Sequence, residues 1–200
     1  PEKDDYPEIK VPFVTPEQLE NGWKPYDRDP ETMVRYWSIP GMENGMHRVG
    51  GLEKDFKTSV ISTDAKNHAR MVEARKEKVA RIARDIPKME PMFDEDADTI
   101  LIGWGGTYGH LLTAATELNA SGHKVAFWQF RYINPLPENA IETLSKYKRI
   151  IVAELNTGMF ADYLQMHLPG KEILRINKIE GQPFLVSEVV EGVINHMNNN

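Results

Sequence analysis

Hydrophobic and polar positions follow two regimes along this chain. From residue 95 onward, short apolar runs alternate with stretches in which apolar residues recur every three or four positions. Thr99-Ile100-Leu101-Ile102 is uncharged and β-branched, as in a strand covered on both faces. Lys124–Ile133 (KVAFWQFRYI), Arg149–Leu155 (RIIVAEL) and Glu172–Asn177 read as three further strands. Between them lie helical patterns. Leu111, Leu112, Ala114, Ala115 and Leu118 form one, stopped by Ser121-Gly122. Glu138–Tyr147 turns Ala140, Ile141 and Leu144 inward, and Phe160, Ala161, Tyr163, Leu164 and Leu168 end at Pro169-Gly170. Ser187 opens the last helix, with Glu188, Glu191 and Asn195 outward. The alternation predicts an α/β domain over residues 95–197, with a parallel or mostly parallel sheet in three layers.

Ahead of that domain the pattern changes. Residues 63–94 read as a charged helix and a linker. The helix spans 64–86, with Asp64 or Thr63 as N-cap. Its apolar stripe is narrow: His68, Val72, Arg75, Val79, Ile82 and Ile86. Glu77 and Arg81 form a favourable i, i+4 pair, and the remaining charges read as a solvated face or, alternatively, a basic interaction surface. Pro87 and Pro91 end the helix. Residues 1–62 hold prolines at 1, 7, 12, 16, 25, 30 and 40, interleaved with Tyr6, Phe13, Trp23, Tyr26, Tyr36 and Trp37. Proline at this density opposes regular structure, whereas the aromatics need a surface to pack on. An extended arm and connector that wraps a neighbouring domain or subunit fits both, and a loose linker is the alternative. Gly50-Gly51, beside His47, Arg48 and Glu53, is a tight turn or a place where backbone approaches an anion.

Charge and composition narrow the function. The 200 residues carry a net charge of −6, so the chain as a whole does not call for nucleic acid or an anionic membrane. Cysteine is absent, which excludes a thiolate-held cluster, a cysteine nucleophile and a disulfide on this chain, and suits a reducing cytoplasm. No apolar run is long enough to cross a bilayer, and no signal peptide is visible. The chain opens Pro1-Glu2-Lys3 without methionine and is expected to be a piece of a longer polypeptide.

In an open α/β sheet the loops after the strands meet ligands. Here they are Gly103–His110, Arg131–Pro137 and Glu154–Gly158. Candidate binding positions are Gly103, Gly105, Gly106, Thr107, Tyr108 and Arg131. The glycine loop departs from a dinucleotide fingerprint. Tyr108 stands where the third glycine belongs, and the second strand ends with Gln129 and Arg131 instead of an acid for a ribose. No Gly-Lys-Ser/Thr occurs, so it is not a Walker loop. A packed turn abutting another domain is one reading of Gly103–Gly109; a stand-alone small-molecule or nucleotide-binding module is the other. Glu154 and Asp162 have no second carboxylate or histidine placed beside them by spacing. The six histidines (His47, His68, His110, His123, His167, His196) lack metal-ligand spacing, and no G-x-S-x-G elbow occurs. No catalytic residue and no metal ligand is assigned.

Six motifs in order then carry a resemblance: RYWSIPG (35–41), HRVGGLEKD (47–55), ISTDAKNHARMVEARKEKV (61–79), GWGGTYG (103–109), INPLP (133–137) and IVAELNTG (151–158). Together they resemble the C-terminal half of the α subunit of 2-oxoacid:ferredoxin oxidoreductases, in the 2-oxoglutarate branch, over nearly the whole chain. The resemblance implies that the α/β domain is transketolase C-terminal-like and that the residues before it finish a pyrimidine-type domain and a connecting arm. It further implies a complex that decarboxylates a 2-oxoacid on thiamine diphosphate and magnesium, passes electrons through an iron–sulfur cluster to ferredoxin, and loads coenzyme A. No cofactor is expected on this fragment, which lacks a Gly-Asp-Gly motif and cysteine. The cofactors would sit on a missing N-terminal part and on a partner β subunit. Relatives often have histidine where this chain has Lys54. Arg35, His47 and Arg48 are residues that could approach the site in such an assembly, and no catalytic role is carried onto them.

Overall fold

The computed structural model describes residues 11–199; Pro1, Tyr6 and Pro7 of the expected arm lie outside them. The chain divides between Ile82 and Ala83 into two compact units.

Among its described residues the first unit holds two α-helices, α1 (Pro16–Glu20) and α2 (Ala65–Arg81). Thr15 and Gln18 close a capping box on α1, whose first residue is Pro16. Asp64 caps α2 by accepting from the Asn67 N–H at 2.7 Å. The buried face of α2 is Met71 and Ala74, one step round from the expected stripe. Val72, Val79 and Ile82 are exposed. Asn67 is the reason: its side chain accepts from the Phe56 N–H and donates to the Lys54 carbonyl, at 2.8 and 2.9 Å, which fixes the preceding loop on its own side of the helix. Ala74, two turns on, is small enough for close approach.

The rest of the unit is built from turns, two of them copies of one motif. Asp29-x-x-Thr32-x-Val34 and Asp55-x-x-Thr58-x-Val60 each make a small hairpin. In each, the Asp carboxylate accepts from the Thr N–H and hydroxyl, and the Asp N–H donates to the Val carbonyl at 2.8 Å. The flanking residues pair as antiparallel bridges, Arg28 with Arg35 and Lys54 with Ile61. Short polar side chains that bond their own backbone supply the order that proline denies.

The second unit is the expected three-layer α/β domain. Its elements are β1 (Thr99–Trp104), α3 (Tyr108–Ala120), β2 (Val125–Phe130), α4 (Ala140–Ser145), β3 (Arg149–Glu154), α5 (Met159–His167), β4 (Ile173–Asn177) and α6 (Val186–Asn198). All four strands are parallel, in the order β2-β1-β3-β4. Alternation along the central strands sends side chains to two cores. Ile100, Ile102, Ile150 and Val152 pack with Leu144 of α4 and Phe160 and Leu164 of α5. Leu101, Ile151 and Ala153 pack with Leu111 and Leu118 of α3 and Val189 and Val193 of α6. β2 ends at Phe130, short of the expected Ile133; Arg131, Tyr132 and Ile133 leave the sheet and are exposed. Outside β2, Met92 pairs with Phe127 through two main-chain hydrogen bonds of 2.9 and 2.8 Å. Asn139 clasps the same incoming segment, bonding both the N–H and the carbonyl of Met89.

Candidate functional site

The strand ends bring three loops to one edge of the sheet. At the first, Gly103 is packed rather than open. A Cβ there would strike Leu111 Cδ1, lie 2.5 Å from Gln129 Oε1 and 2.7 Å from Thr107 Oγ1. The glycine lets α3 descend close onto β1. Gly105 adopts a left-handed conformation (φ 60°) that starts a 3-10 turn over Gly105–Thr107. The turn is internally satisfied: the Thr107 hydroxyl donates to the Trp104 carbonyl at 2.9 Å, and Gln129 donates to the Gly105 carbonyl at 3.1 Å. Both bonds hold carbonyls of the turn and fix its shape.

Tyr108 and Arg131 do come together. They share a largely apolar cleft of about 270 Å³ with Met92, Phe127, Gln129 and Tyr132. Gly103, Gly105, Gly106 and Thr107 do not line it. The Tyr108 ring tilts on Phe127 with centroids 6.1 Å apart. Arg131 is exposed and has no carboxylate partner among the described residues. Trp128 Nε1 and Gln129 Oε1 are buried without hydrogen-bond partners.

After β3, Glu154 is 1% exposed. Its carboxylate accepts from Trp104 Nε1 (3.2 Å), Asn156 Nδ2 (2.9 Å), and the main-chain N–H groups of Phe160 (3.0 Å) and Ala161 (3.1 Å). Asn156 accepts from the Gly158 and Met159 N–H groups at 2.8 and 2.9 Å. Side chains of the loop itself thus consume the free N–H groups that begin α5. Gly158 holds φ 104°, and a Cβ on it would fall 2.8 Å from Arg175 Nη1. Asp162 is paired with Arg175 at 2.7 Å. Glu154 is therefore a four-way anchor, a role that spacing alone did not disclose; the signal was a carboxylate closing an otherwise apolar strand.

The histidines lie apart, and among the described residues no group of three His, Asp or Glu side chains is placed to hold a metal. Arg35 lines a cleft that His47 and Arg48 do not. His47 Nδ1 lies 3.0 Å from the Gly45 carbonyl oxygen, with its ring edge-on to Trp23. Arg48 is exposed, whereas Arg35 lies over the Tyr26 ring at 4.3 Å and lines a separate cleft within the first unit. Lys54 is 1% exposed. Its ammonium donates to the carbonyls of Gly50 (2.9 Å) and Leu52, tying the Gly-Gly turn shut.

Comparison with known proteins bears on the family and the fold. Residues 97–189, nearly all of the sheet domain, match the family model of pyruvate:ferredoxin oxidoreductase core domain II. The 2-oxoglutarate oxidoreductase subunit KorA of Mycobacterium tuberculosis is 36% identical over 195 residues, covering 94% of this chain and 28% of that subunit. This chain is related to the α subunits of 2-oxoacid:ferredoxin oxidoreductases. A second such subunit, from 2-oxoacid:ferredoxin oxidoreductase 1 of Aeropyrum pernix, is 32% identical over 146 residues, 70% of this chain and 23% of its own length. The oxidoreductase-like chain thus spans about a quarter of the length of these relatives. Its fold also matches a solved structure of 2-oxoglutarate:ferredoxin oxidoreductase from Magnetococcus marinus, with a TM-score of 0.88 over 99% of this chain and 34% of that one, at 23% identity. That neighbour was solved with 2-oxoglutarate, coenzyme A and succinyl-CoA bound. No helix among the described residues is long and apolar enough to cross a membrane.

Proposed function

We propose that this chain is the C-terminal part of an α subunit in a complex that oxidatively decarboxylates a 2-oxoacid, with 2-oxoglutarate as the preferred acid. The observation that carries this reading is the likeness to a 2-oxoglutarate oxidoreductase subunit over 94% of the chain. In such a complex thiamine diphosphate with magnesium supplies the electron sink for decarboxylation, an iron–sulfur cluster conducts electrons to ferredoxin, and coenzyme A takes the acyl group. This chain has no cysteine to hold the cluster, so the cluster belongs to a β subunit or another part of the assembly. The chain's own work is scaffolding. Residues 95–197 supply a rigid sheet domain. Residues 1–62 and 63–94 supply contacts to neighbouring domains and to the β subunit, and exposed Trp37, Ile39, Met46, Val49 and Leu52 suit that role. Tyr108 and Arg131 are the positions of the sheet domain best placed to meet a ligand or a neighbouring loop.

The test is a purification of the full-length parent with its bound subunits, followed by ferredoxin reduction in the presence of coenzyme A and a panel of 2-oxoacids. Turnover fastest with 2-oxoglutarate is expected. Preference for pyruvate would sink the branch assignment, and no turnover with any 2-oxoacid would sink the enzyme reading. Residues 1–200 alone are expected to be inactive.

A further inference from the structure

β2 borders the sheet, and the main chain of a parallel strand points both its groups to the same side at every second residue. The N–H and carbonyl of Phe127 both bond Met92 on the outer side, so Val125 and Gln129 point outward as well. Asn119 closes the first of these three positions: its side chain donates to the Val125 carbonyl at 2.9 Å and accepts from the Val125 N–H at 3.4 Å. Met92 closes the second. At the third, the main chain of Gln129 meets no other main-chain segment and no side chain outside the sheet among the described residues. The segment that delivers Met92 does not extend the pairing to it. Asn139 draws Met89 aside by both its main-chain groups, at 2.8 and 2.9 Å, and Pro91 has no N–H to give.

The cleft shared by Tyr108 and Arg131 opens along this bare position. Every residue from Phe127 to Tyr132 lines it, so both faces of the strand end and the border between them reach it. Its volume, about 270 Å³, falls below the roughly 300–1,000 Å³ of pockets that enclose a small molecule. It suits one large side chain, set among the rings of Tyr108, Phe127 and Tyr132. Tyr108 and Tyr132 are exposed, and so is Arg131 where the strand ends. Arg131 joins none of the ion pairs among the described residues. Glu90 and Glu138, the acids nearest the lining in sequence, leave it without a partner. A main-chain donor and acceptor, an aromatic hollow and a free guanidinium fork thus lie side by side. Together they match the parts of an extended peptide: its own main chain, an apolar side chain and a carboxylate.

We infer that the border of β2 beyond Met92 receives a short, extended, acidic segment of a partner protein. One residue of that segment exchanges both main-chain hydrogen bonds with Gln129. A neighbouring large apolar side chain fills the aromatic cleft, and an aspartate or glutamate meets Arg131. The segment enters from the Arg131 side, because Met92 holds the border on the other. A second copy of this chain fits less well. Antiparallel pairing of two β2 strands centred on Gln129 would set Arg131 of each against Phe127 of the other, whose outward groups are spent on Met92. The inference goes beyond the scaffolding role and does not depend on which 2-oxoacid the parent complex uses.

Fluorescence anisotropy on the intact complex tests it, with a fluorescein-labelled short peptide that alternates aspartate with phenylalanine and valine. Two control peptides carry lysine in place of aspartate, or N-methyl groups along the backbone. Saturable binding of the aspartate peptide is expected, weakened about tenfold or more in each control. Arg131→Glu should reverse the preference, losing the aspartate peptide and gaining the lysine one, and Tyr132→Ala should weaken both. Both side chains are exposed, so neither change threatens the fold. Absence of saturable binding overturns the inference. So does equal affinity for the aspartate and lysine peptides, binding indifferent to N-methylation, or a preference that Arg131→Glu leaves unchanged. Loss of a subunit from the Arg131→Glu complex in sedimentation also overturns it, because the cleft would then belong to the assembly itself. These failures are separable from failure of the proposed function, since turnover of 2-oxoglutarate is measured on the same preparation.

Discussion

Residues 83–199 bury Ile100, Leu101, Ile102, Ile150, Ile151 and Val152 completely, on two faces of one sheet. Residues 11–82 bury only Val14, Met71 and Ala74 among their apolar side chains, and leave Trp37, Met46, Val49, Leu52 and Val60 exposed. The first group is held by area removed from water, at about 1.5–3 kcal/mol for each large side chain. The second is held by side chains that bond backbone, by capped turns, and by cations stacked on Phe56 and Tyr26. A region of the second kind keeps its surface free for partners and ligands, and it answers to pH and salt more than a sheet core does.

Breaking that contrast calls first for a polar change in the apolar unit. Glu154→Ala would leave four donors without their acceptor in a dry site, and is expected to cost about 3–5 kcal/mol in urea denaturation of the full chain; Glu154→Gln, which keeps an acceptor, should cost clearly less. A loss below about 1 kcal/mol would mean that the packed cores, and not this anchor, set the stability of the strand ends. Next in size, Gly103→Val overpacks against Leu111, Gln129 and Thr107 and should cost about 2–3 kcal/mol in the same denaturation. In the first unit, Asp64→Ala removes the cap of α2 and is expected to cost about 1 kcal/mol, read as faster amide exchange in its first turn. The smallest effect separates the units by acid. Bonds from Thr32 and Thr58 hold the Asp29 and Asp55 carboxyls below the ordinary aspartate value of 3.8. A depressed value stabilises the folded state above the unfolded one, and that contribution is lost as pH falls through the folded value. Asp96, Asp98 and Glu188 of the second unit are depressed as well, but two packed cores also hold that unit, so below about pH 4 the two hairpins should loosen before the sheet does, followed as amide resonances of Thr32 and Thr58. Hairpins that stay intact while the sheet melts would reverse the comparison.

The sheet domain was legible because its signals are strong. β1 and β3 are uninterrupted apolar runs, and glycine follows or lies near the end of α3, α5 and the turns. The error at β2 has the same origin: Tyr132 and Ile133 look like strand residues, yet the chain has already left the sheet. The helix in the first unit was legible in its cap, but it ends at Arg81, with a 3-10 turn over Ile82–Asp85 in place of the expected last turn, and its orientation was not legible. Val72, Val79 and Ile82 are more apolar than Ala74, and hydropathy cannot see that Asn67 binds the backbone of 54–56 on the other side. The copied hairpins escaped notice because Asp-x-x-Thr-x-Val is short and polar; aligning 29–34 with 55–60 would have found them. Of the candidate site positions, Tyr108 and Arg131 meet in a cleft, whereas Gly103 serves close packing and Gly105 a left-handed turn, a distinction that needs the positions of Leu111 and Gln129. The bare border at Gln129 could not be read from spacing, since Asn119 and Met92, which close the positions before it, come from two other stretches.

The bridge from Met92 to Phe127 governs how this sheet meets other molecules of its own kind. β2 is an outer strand, and an outer strand with unpaired main chain is a template for a stranger's strand. Met92 occupies that template at its middle, and Asn139 holds the incoming segment so that it stays there. On the opposite border, β4 carries the charged Arg175, which discourages the same event. A recombinant sheet domain begun after residue 92 would keep every strand and helix, yet it would expose a bare β2 border and self-associate with rising concentration. One begun near Ala83 carries its own guard and should remain dispersed.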